Sequence, residues 1–380
     1  MEISKTCPIF GVCGGCKLYN LTYDDQLKFK EDFVQNKLKR YDLPILPIIP
    51  SPIVYHYRNK IELTFFNTED KKIGLGFHQK GEFNKLVNVS ACLHSPESNA
   101  DIIEFIRQWA NKHSFSAYHK ITKQGLLRYL LIRDSFKNQS KLITFITNGG
   151  SSETLKELAL ALYNNFKIDG VLWSNQPEIA DAVLLTHCEI LCGKDYLIDT
   201  IGDYTFKIPV NSFFQGNTAA ATLLYDYIKQ LVQSGDEVLD LFCGAGTIST
   251  YIADKAKSVL GIEVVDSAVD IAQENSKLNH VQNTSFEAGR VRERLANMKF
   301  DTHFDTVILD PPRAGTDKKT MRRIGELNPK QVIYVACGYE NLVYNLNVLM
   351  EGPYRIESIQ PIDLFPNTPH VETVINLLKK

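Results

Sequence analysis

The sequence predicts an α/β chain in two parts, a doubly wound parallel sheet preceded by an α+β region. Three observations predict it. Past about Ile208, buried strands alternate with helices, the grammar of a parallel sheet covered on both faces. One of those strands runs into Asp240-Leu-Phe-Cys-Gly-Ala-Gly-Thr247, a glycine turn that opens a helix. Before that point the strands alternate and are joined by glycine turns, and a Cys/Gly-rich segment lies ahead of them. A boundary is expected near residue 205, dividing residues 1–205 from residues 206–380.

In chain order, Gln26 to Arg40 mixes charged and apolar positions at helical spacing, and a Pro-rich connector follows from Pro44 to Pro52. Asn59 to Phe66 and Ile73 to Val89 alternate like strands. Ala100 to His113 reads as a helix, Leu126 to Ile132 and Lys141 to Thr147 as strands, and Glu153 to Phe166 as a helix. In the second part, Thr218 to Gln233, Thr247 to Ala256 and Ser267 to Asn279 read as helices. Glu237 to Phe242, Ser258 to Glu263, Thr306 to Asp310 and Gln331 to Ala336 read as strands.

Composition narrows the class. The 380 residues are 44% hydrophobic and 23% charged, which excludes a largely disordered chain. No apolar stretch approaches the roughly 18 residues that suggest a membrane span. Met1 to Cys7 contains no apolar core of an export signal, so a cytoplasmic location is expected. Lys and Arg number 42 against 44 Asp and Glu, a balance without the usual basic footprint of a nucleic-acid binder. Phe105 to Lys141 is an exception. It holds Arg107, Lys112, Lys120, Lys123, Arg128, Arg133, Lys137 and Lys141, interleaved with Trp109, Phe115, Tyr118, Tyr129 and Phe136. Cations neutralise phosphates and aromatic rings stack on unpaired bases, although a solvated helical face explains the charge equally well.

Several positions carry chemistry. Gly244 and Gly246 permit a tight turn and a close backbone approach to a ligand, and the next strand ends at Glu263, where a carboxylate can accept both hydroxyls of a ribose. The alternative is a structural turn whose glutamate caps the following helix. Asp310-Pro-Pro-Arg313 ends another strand, at the mouth where such sheets bind ligands. Cys337 ends a third strand, well placed for a nucleophile, although a lone cysteine is commonly a small buried hydrophobe. A Pro-, His- and Glu-containing loop, Asp363 to Glu372, feeds the final strand. Of eight cysteines, Cys7, Cys13 and Cys16 fall within ten residues and Cys92 is a distant fourth. Four thiolates suit zinc or an iron–sulfur cluster, and spacing alone does not choose between them. Cys188 and Cys192 have no functional reading.

The glycine turn resembles the S-adenosylmethionine loop of class I methyltransferases. Ser212-Phe-Phe-Gln215, Asp240 to Thr247, Asp310 to Arg313, Tyr334-Val-Ala-Cys337 and Phe365 to Glu372 occur in the order seen in the RNA uracil-C5 methyltransferase family. The resemblance implies that Cys337 attacks C6 of a uracil and that Glu372 removes the C5 proton after methyl transfer. It implies contacts to S-adenosylmethionine from Gln215, Phe242, Glu263 and Asp310, with Thr247 a weaker candidate. The cysteine spacing is similar to the [4Fe-4S] site of several members, so a cluster on Cys7, Cys13, Cys16 and Cys92 is expected ahead of zinc. Arg58, Arg128 and Arg133 lie in segments similar to those lining the RNA site, with Phe213 and Phe214 as candidate stacking rings.

Two positions depart from the pattern: Gly338 stands where members usually carry Asn, and Arg290 where an acidic or amide residue meets adenine. The chain is also expected to lack the N-terminal oligonucleotide-binding barrel of many relatives. The expected activity is formation of 5-methyluridine in structured RNA by a monomer, first in 23S ribosomal RNA and alternatively at the T-loop uridine of transfer RNA. A non-catalytic iron–sulfur RNA-binding protein is the alternative from a different class.

Overall fold

A computed structural model describes residues 7–177, 183, 185, 187–298 and 302–380. In chain order the elements are α1 (Tyr23–Leu38), β1 (Lys60–Asn67), β2 (Ile73–Gln79), β3 (Glu82–Asn88), α2 (Asn99–Lys112), β4 (Leu127–Asp134), β5 (Lys141–Thr147), α3 (Glu153–Asn165), β6 (Ile168–Asn175) and β7 (Glu189–Gly193). A hairpin of β8 (Tyr196–Ile201) and β9 (Tyr204–Pro209) leads to α4 (Thr218–Leu231), β10 (Glu237–Leu241), α5 (Thr247–Ile252), β11 (Ser258–Glu263), α6 (Asp266–Leu278) and β12 (Thr284–Ala288). The chain closes with α7 (Val291–Asn297), β13 (Thr306–Leu309), α8 (Lys318–Leu327), β14 (Gln331–Ala336), α9 (Leu342–Met350), β15 (Tyr354–Ile362) and β16 (Glu372–Lys379). No described helix is long and apolar enough to cross a membrane.

Two compact units result. They are interleaved in sequence: one contains residues 1–22, 53–199 and 208–211, the other residues 23–52, 200–207 and 212–380. No single cut separates them.

The first unit is built on a seven-stranded mixed sheet in the order β3-β2-β1-β4-β5-β6-β7. Pairing is antiparallel except between β5 and β6, which α3 connects as a parallel crossover. Every residue of β4 and β5 is buried, because these strands lie centrally in the sheet. Ile102, Ile103, Ile106 and Ala110 of α2 and Leu155, Leu158 and Leu162 of α3 recur at helical spacing and pack into the core of this sheet.

The second unit is the doubly wound sheet the sequence predicts, in the order β12-β11-β10-β13-β14-β16-β15. The first five strands are parallel; β16 and β15 add an antiparallel edge beside β14. The order reverses between β10 and β13, so a crevice is expected beyond their carboxyl ends. Val34 and Leu38 of α1 join Leu239, Leu241, Val307, Leu309, Val332 and Ile375 in one apolar core.

Candidate active site

The predicted residues of the second unit gather at strand ends. After β10 the chain reverses through three left-handed residues, Phe242 (φ 66°), Gly244 (φ 53°) and Gly246 (φ 72°). The Phe242 and Cys243 amides donate to the Ile262 carbonyl at 2.9 and 3.2 Å, tying the turn to the end of β11. Gly246 has a second reason to be glycine. A Cβ there would sit 2.8 Å from the Ala272 Cβ and 2.9 Å from the Phe286 ring, so the close approach of α6 and β12 depends on its absence.

Asp240 is fully buried under this turn. Its Oδ2 accepts from the Ser249 hydroxyl at 2.5 Å, while its Oδ1 has no hydrogen-bond partner among the described residues. Burial pushes the Asp240 carboxyl up to about 7, against the hydrogen bonds from Ser249 and reinforced by Glu263. Asp310, at the end of β13, is likewise pushed up to about 7 by burial and by the charge of Asp240. The Glu263 carboxylate accepts from the Gly244 amide at 3.1 Å and from the Val264 and Val265 amides at 2.8 and 3.0 Å. It therefore ties the glycine turn to the two residues that lead into α6. Gln215 is buried and hydrogen-bonds Tyr225, whose hydroxyl meets the Thr247 hydroxyl at 2.8 Å. Phe242 is half-buried beside these groups.

Cys337 and Glu372 face each other. β14 and β16 pair antiparallel, and their last register pair is Ala336 with Thr373. One step further along both strands stand Cys337 and Glu372. Burial and the neighbouring carboxyls of Glu372 and Asp310 push the Cys337 thiol up to about 11, with Arg313 opposing. Burial, and then Asp310, push the Glu372 carboxyl up to about 8, again with Arg313 opposing. Its Oε2 is buried without a hydrogen-bond partner among the described residues. Tyr339, which the sequence reading passes over, bonds the Thr373 hydroxyl and lies close enough to Cys337 and Glu372 to feel both charges. Its only signal in the sequence is its place two residues after Cys337.

Other expected residues are placed differently. Phe214 is buried against Phe206, whereas Phe213 is 73% exposed, so only Phe213 offers a free ring face. Arg290 is exposed beside Glu293 at the start of α7. Gly338 is dictated by its neighbour, since a Cβ there would lie 2.6 Å from the Arg313 carbonyl oxygen. In this chain the Asp310–Arg313 loop takes the space that a larger residue at 338 would need.

In the first unit, Cys7, Cys13, Cys16 and Cys92 line one cavity of about 780 Å³ together with Arg58 and His94. Burial, followed by the other three thiols, pushes Cys16 up to about 12. Burial raises Cys13 and Cys92 as well, and Arg58 counters the rise at both. Among the described residues, no three His, Cys, Asp or Glu side chains are drawn together as a single-metal site. The thiols thus share a cavity without converging on one point. The basic stretch is a correction to the sequence reading. Arg128, Arg133 and Lys141 are buried in β4 and β5, where Arg128 lies over the Tyr118 ring and Lys141 pairs with Asp134. Trp109 and Phe115 pack against the core. Lys112, Lys123 and Lys137 remain exposed. Place in the fold, not charge, sets which of these cations reach solvent: the central strands β4 and β5 bury theirs, while Lys112 on α2 and Lys123 and Lys137 in loops stay exposed.

Comparison with known proteins agrees with this arrangement. The family model described as tRNA (uracil-5-)-methyltransferase matches residues 185–380. An uncharacterised RNA methyltransferase of Caldanaerobacter subterraneus subsp. tengcongensis is 37% identical, over 100% of this chain and 85% of its own. One from Clostridium acetobutylicum is 36% identical, over 98% and 84%. Among solved structures, the Pyrococcus abyssi tRNA (uracil-54, C5)-methyltransferase in complex with S-adenosyl-L-homocysteine superposes with a TM-score of 0.81 at 28% identity, covering 99% of this chain and 88% of that one. The second unit has the class I methyltransferase fold, and the chain belongs to the tRNA (uracil-5-)-methyltransferase family of RNA methyltransferases.

Proposed function

We propose that the chain methylates C5 of uracil in RNA by covalent catalysis, with Cys337 as nucleophile and Glu372 as base. The observation that carries this reading is the register of β14 and β16, which sets a thiol and a partly orphaned carboxyl opposite each other at the ligand-binding ends of the strands. The fit to S-adenosylmethionine rests on the Asp240 and Asp310 carboxyls. Two buried acids and an unpartnered Oδ1 beneath a glycine turn suit a ligand that bears a positive charge and donor groups. Gln215, Phe242, Thr247, Glu263 and Asp310 would hold it. When bound, it supplies the methyl group as an electrophile.

The chain's own residues then do the following. The half-buried Cys337 thiol gives its proton to solvent water, and the thiolate adds to C6 of the uracil. The C5=C6 electron pair moves into the ring as an enolate, which makes C5 nucleophilic. Once C5 carries the methyl group, the Glu372 carboxylate takes the C5 proton. That C–H pair reforms C5=C6 and expels the thiolate. A carboxyl held near 8 binds this proton more firmly than an ordinary glutamate. Arg313 offsets the accumulated negative charge at both groups. The uracil must leave its stack to reach Cys337, and Phe213 is the exposed ring available to hold it.

Cys7, Cys13, Cys16 and Cys92 would hold a [4Fe-4S] cluster. What supports this reading is that the four thiols line one cavity and that Cys16 feels the charges of Cys92, Cys7 and Cys13. Anaerobic purification with iron and sulfide analysis tests this; stoichiometric zinc in a colourless protein overturns it.

For the RNA, 23S ribosomal RNA is the first reading, on the likeness of the sequence motifs and cysteine spacing. The family description and the Pyrococcus abyssi protein favour transfer RNA as the second. Mass-spectrometric mapping of 5-methyluridine in both RNAs from a deletion strain separates them. A site lost from one RNA identifies the target, and no loss from either overturns the function.

A further inference from the structure

We propose that Lys30 is a positioning residue for the base, holding from α1 the turn that feeds Glu372. This rests on the reading of Glu372 given above. The buried stripe of α1 is unusual, because Gln26 and Lys30 occupy the half where apolar residues are expected, ahead of Val34 and Leu38. Both polar side chains reach the 363–368 turn. Lys30 Nζ donates to Asp363 Oδ1 at 2.5 Å and to the Phe365 carbonyl at 3.0 Å, with both side chains of the ion pair fully buried. Tyr23, on the same helix face, donates to Asp363 Oδ2 at 3.0 Å. Gln26 and Asn367 bond twice, Nε2 to Oδ1 at 3.1 Å and the Asn367 amide to Oε1 at 2.7 Å. Asn367 is left-handed (φ 66°), a conformation asparagine adopts more readily than most side-chain-bearing residues.

The same helix also touches the nucleophile's side. The Phe33 ring packs edge-on to Tyr339 at 5.2 Å, and Tyr339 bonds Thr373, the neighbour of Glu372. One helix thus braces the segments that carry both reacting groups. A buried ion pair is weak evidence for stability, because well-packed apolar side chains serve that purpose as well. Its geometry, however, is specific, and here that geometry ends nine residues before the base.

The test compares wild type with full-length Lys30→Met, with the double variant Lys30→Met/Asp363→Leu, which leaves no unpaired buried charge, and with Glu372→Gln. The probes are total RNA from a strain lacking the gene and the same RNA from cells fed 5-fluorouracil, each with methyl-labelled S-adenosylmethionine. A fluorine at C5 leaves no proton to remove, so the covalent adduct requires Cys337 but not the base.

The expected result is that methylated RNA release falls about 10²-fold in both Lys30 variants, while the 5-fluorouridine adduct forms as in wild type and Glu372→Gln behaves alike. Unchanged release in the double variant overturns the proposal. Release and adduct falling together in the double variant also overturns it, since that marks a merely structural role. Full release by Glu372→Gln overturns the base assignment itself, and the role of Lys30 with it.

Discussion

At the residue scale, the proposed chemistry rests on Cys337, Glu372 and Asp310, each pushed towards its protonated form by burial and then by a neighbouring acid. The pH dependence of Glu372 follows. Its ordinary value of 4.5 is raised to about 8 in the folded chain, so between these values the native state binds the extra proton. Native stability from this group is therefore complete below 4.5 and is lost as pH rises towards 8. Glu372→Gln, which keeps the shape and removes the charge, is expected to raise stability at pH 8 by about 1–3 kcal/mol, and the gain should vanish at pH 4; denaturant unfolding at both values checks it. Turnover has the opposite slope, because the base works only when deprotonated. Single-turnover methylation should climb through pH 8. Gly338→Ala places a Cβ 2.6 Å from the Arg313 carbonyl. It is expected to shift the Arg313 loop and cut turnover about 10-fold or more with little change in S-adenosylhomocysteine binding, read as a kcat effect. Cys337 and Asp310 drew notice by residue type at a strand end, and Glu372 through the family resemblance. Lys30 and Tyr339 did not, because a lysine in a mixed helical stretch and a tyrosine after a cysteine declare nothing until the chain brings distant segments together.

At the scale of elements, the doubly wound order was legible because β10, β11, β13 and β14 are short apolar runs bounded by turn residues. The glycine turn was legible too, and its geometry makes a firm prediction. Gly246→Ala combines a left-handed φ with a contact below 3 Å. It should destabilise the second unit by about 1–3 kcal/mol and weaken S-adenosylhomocysteine binding, measured by thermal unfolding with and without that ligand. The edge strand β15 lay outside the predicted elements, whereas β16 was expected as a final strand without bounds and carries Glu372 at its first residue. β15 nonetheless carries a period-two mark, with Tyr354 and Ile356 buried and Arg355 and Glu357 exposed. The basic stretch taught the reverse lesson. Arg128, Arg133 and Lys141 read as a phosphate-binding run, yet they lie on central strands. Charge counted along a sequence says little about surface when the strands that carry it are covered on both faces.

At the scale of the whole molecule, α1 folds with the C-terminal sheet although more than 300 residues separate Lys30 from Asp363. The Cys/Gly-rich segment before residue 23 and the Pro-rich connector ending at Pro52 lie at these two boundaries, yet neither announces that the helix between them packs with the C-terminal sheet. The cysteine cavity belongs to the other unit, and its four thiols were legible from spacing while the occupant was not, since spacing serves several metals equally. Removing the proposed cluster with an oxidant and chelator should lower the thermal stability of that unit and leave S-adenosylhomocysteine binding within about twofold of its starting value; calorimetry of both forms checks it. The central claim is covalent catalysis at Cys337, and the most direct measurement is mass spectrometry of the protein after incubation with 5-fluorouracil-substituted cellular RNA and S-adenosylmethionine. The account predicts a methylated 5-fluorouridine adduct on the peptide bearing Cys337, absent from Cys337→Ala. An adduct on another cysteine, or none while the same preparation methylates unsubstituted RNA, would contradict it.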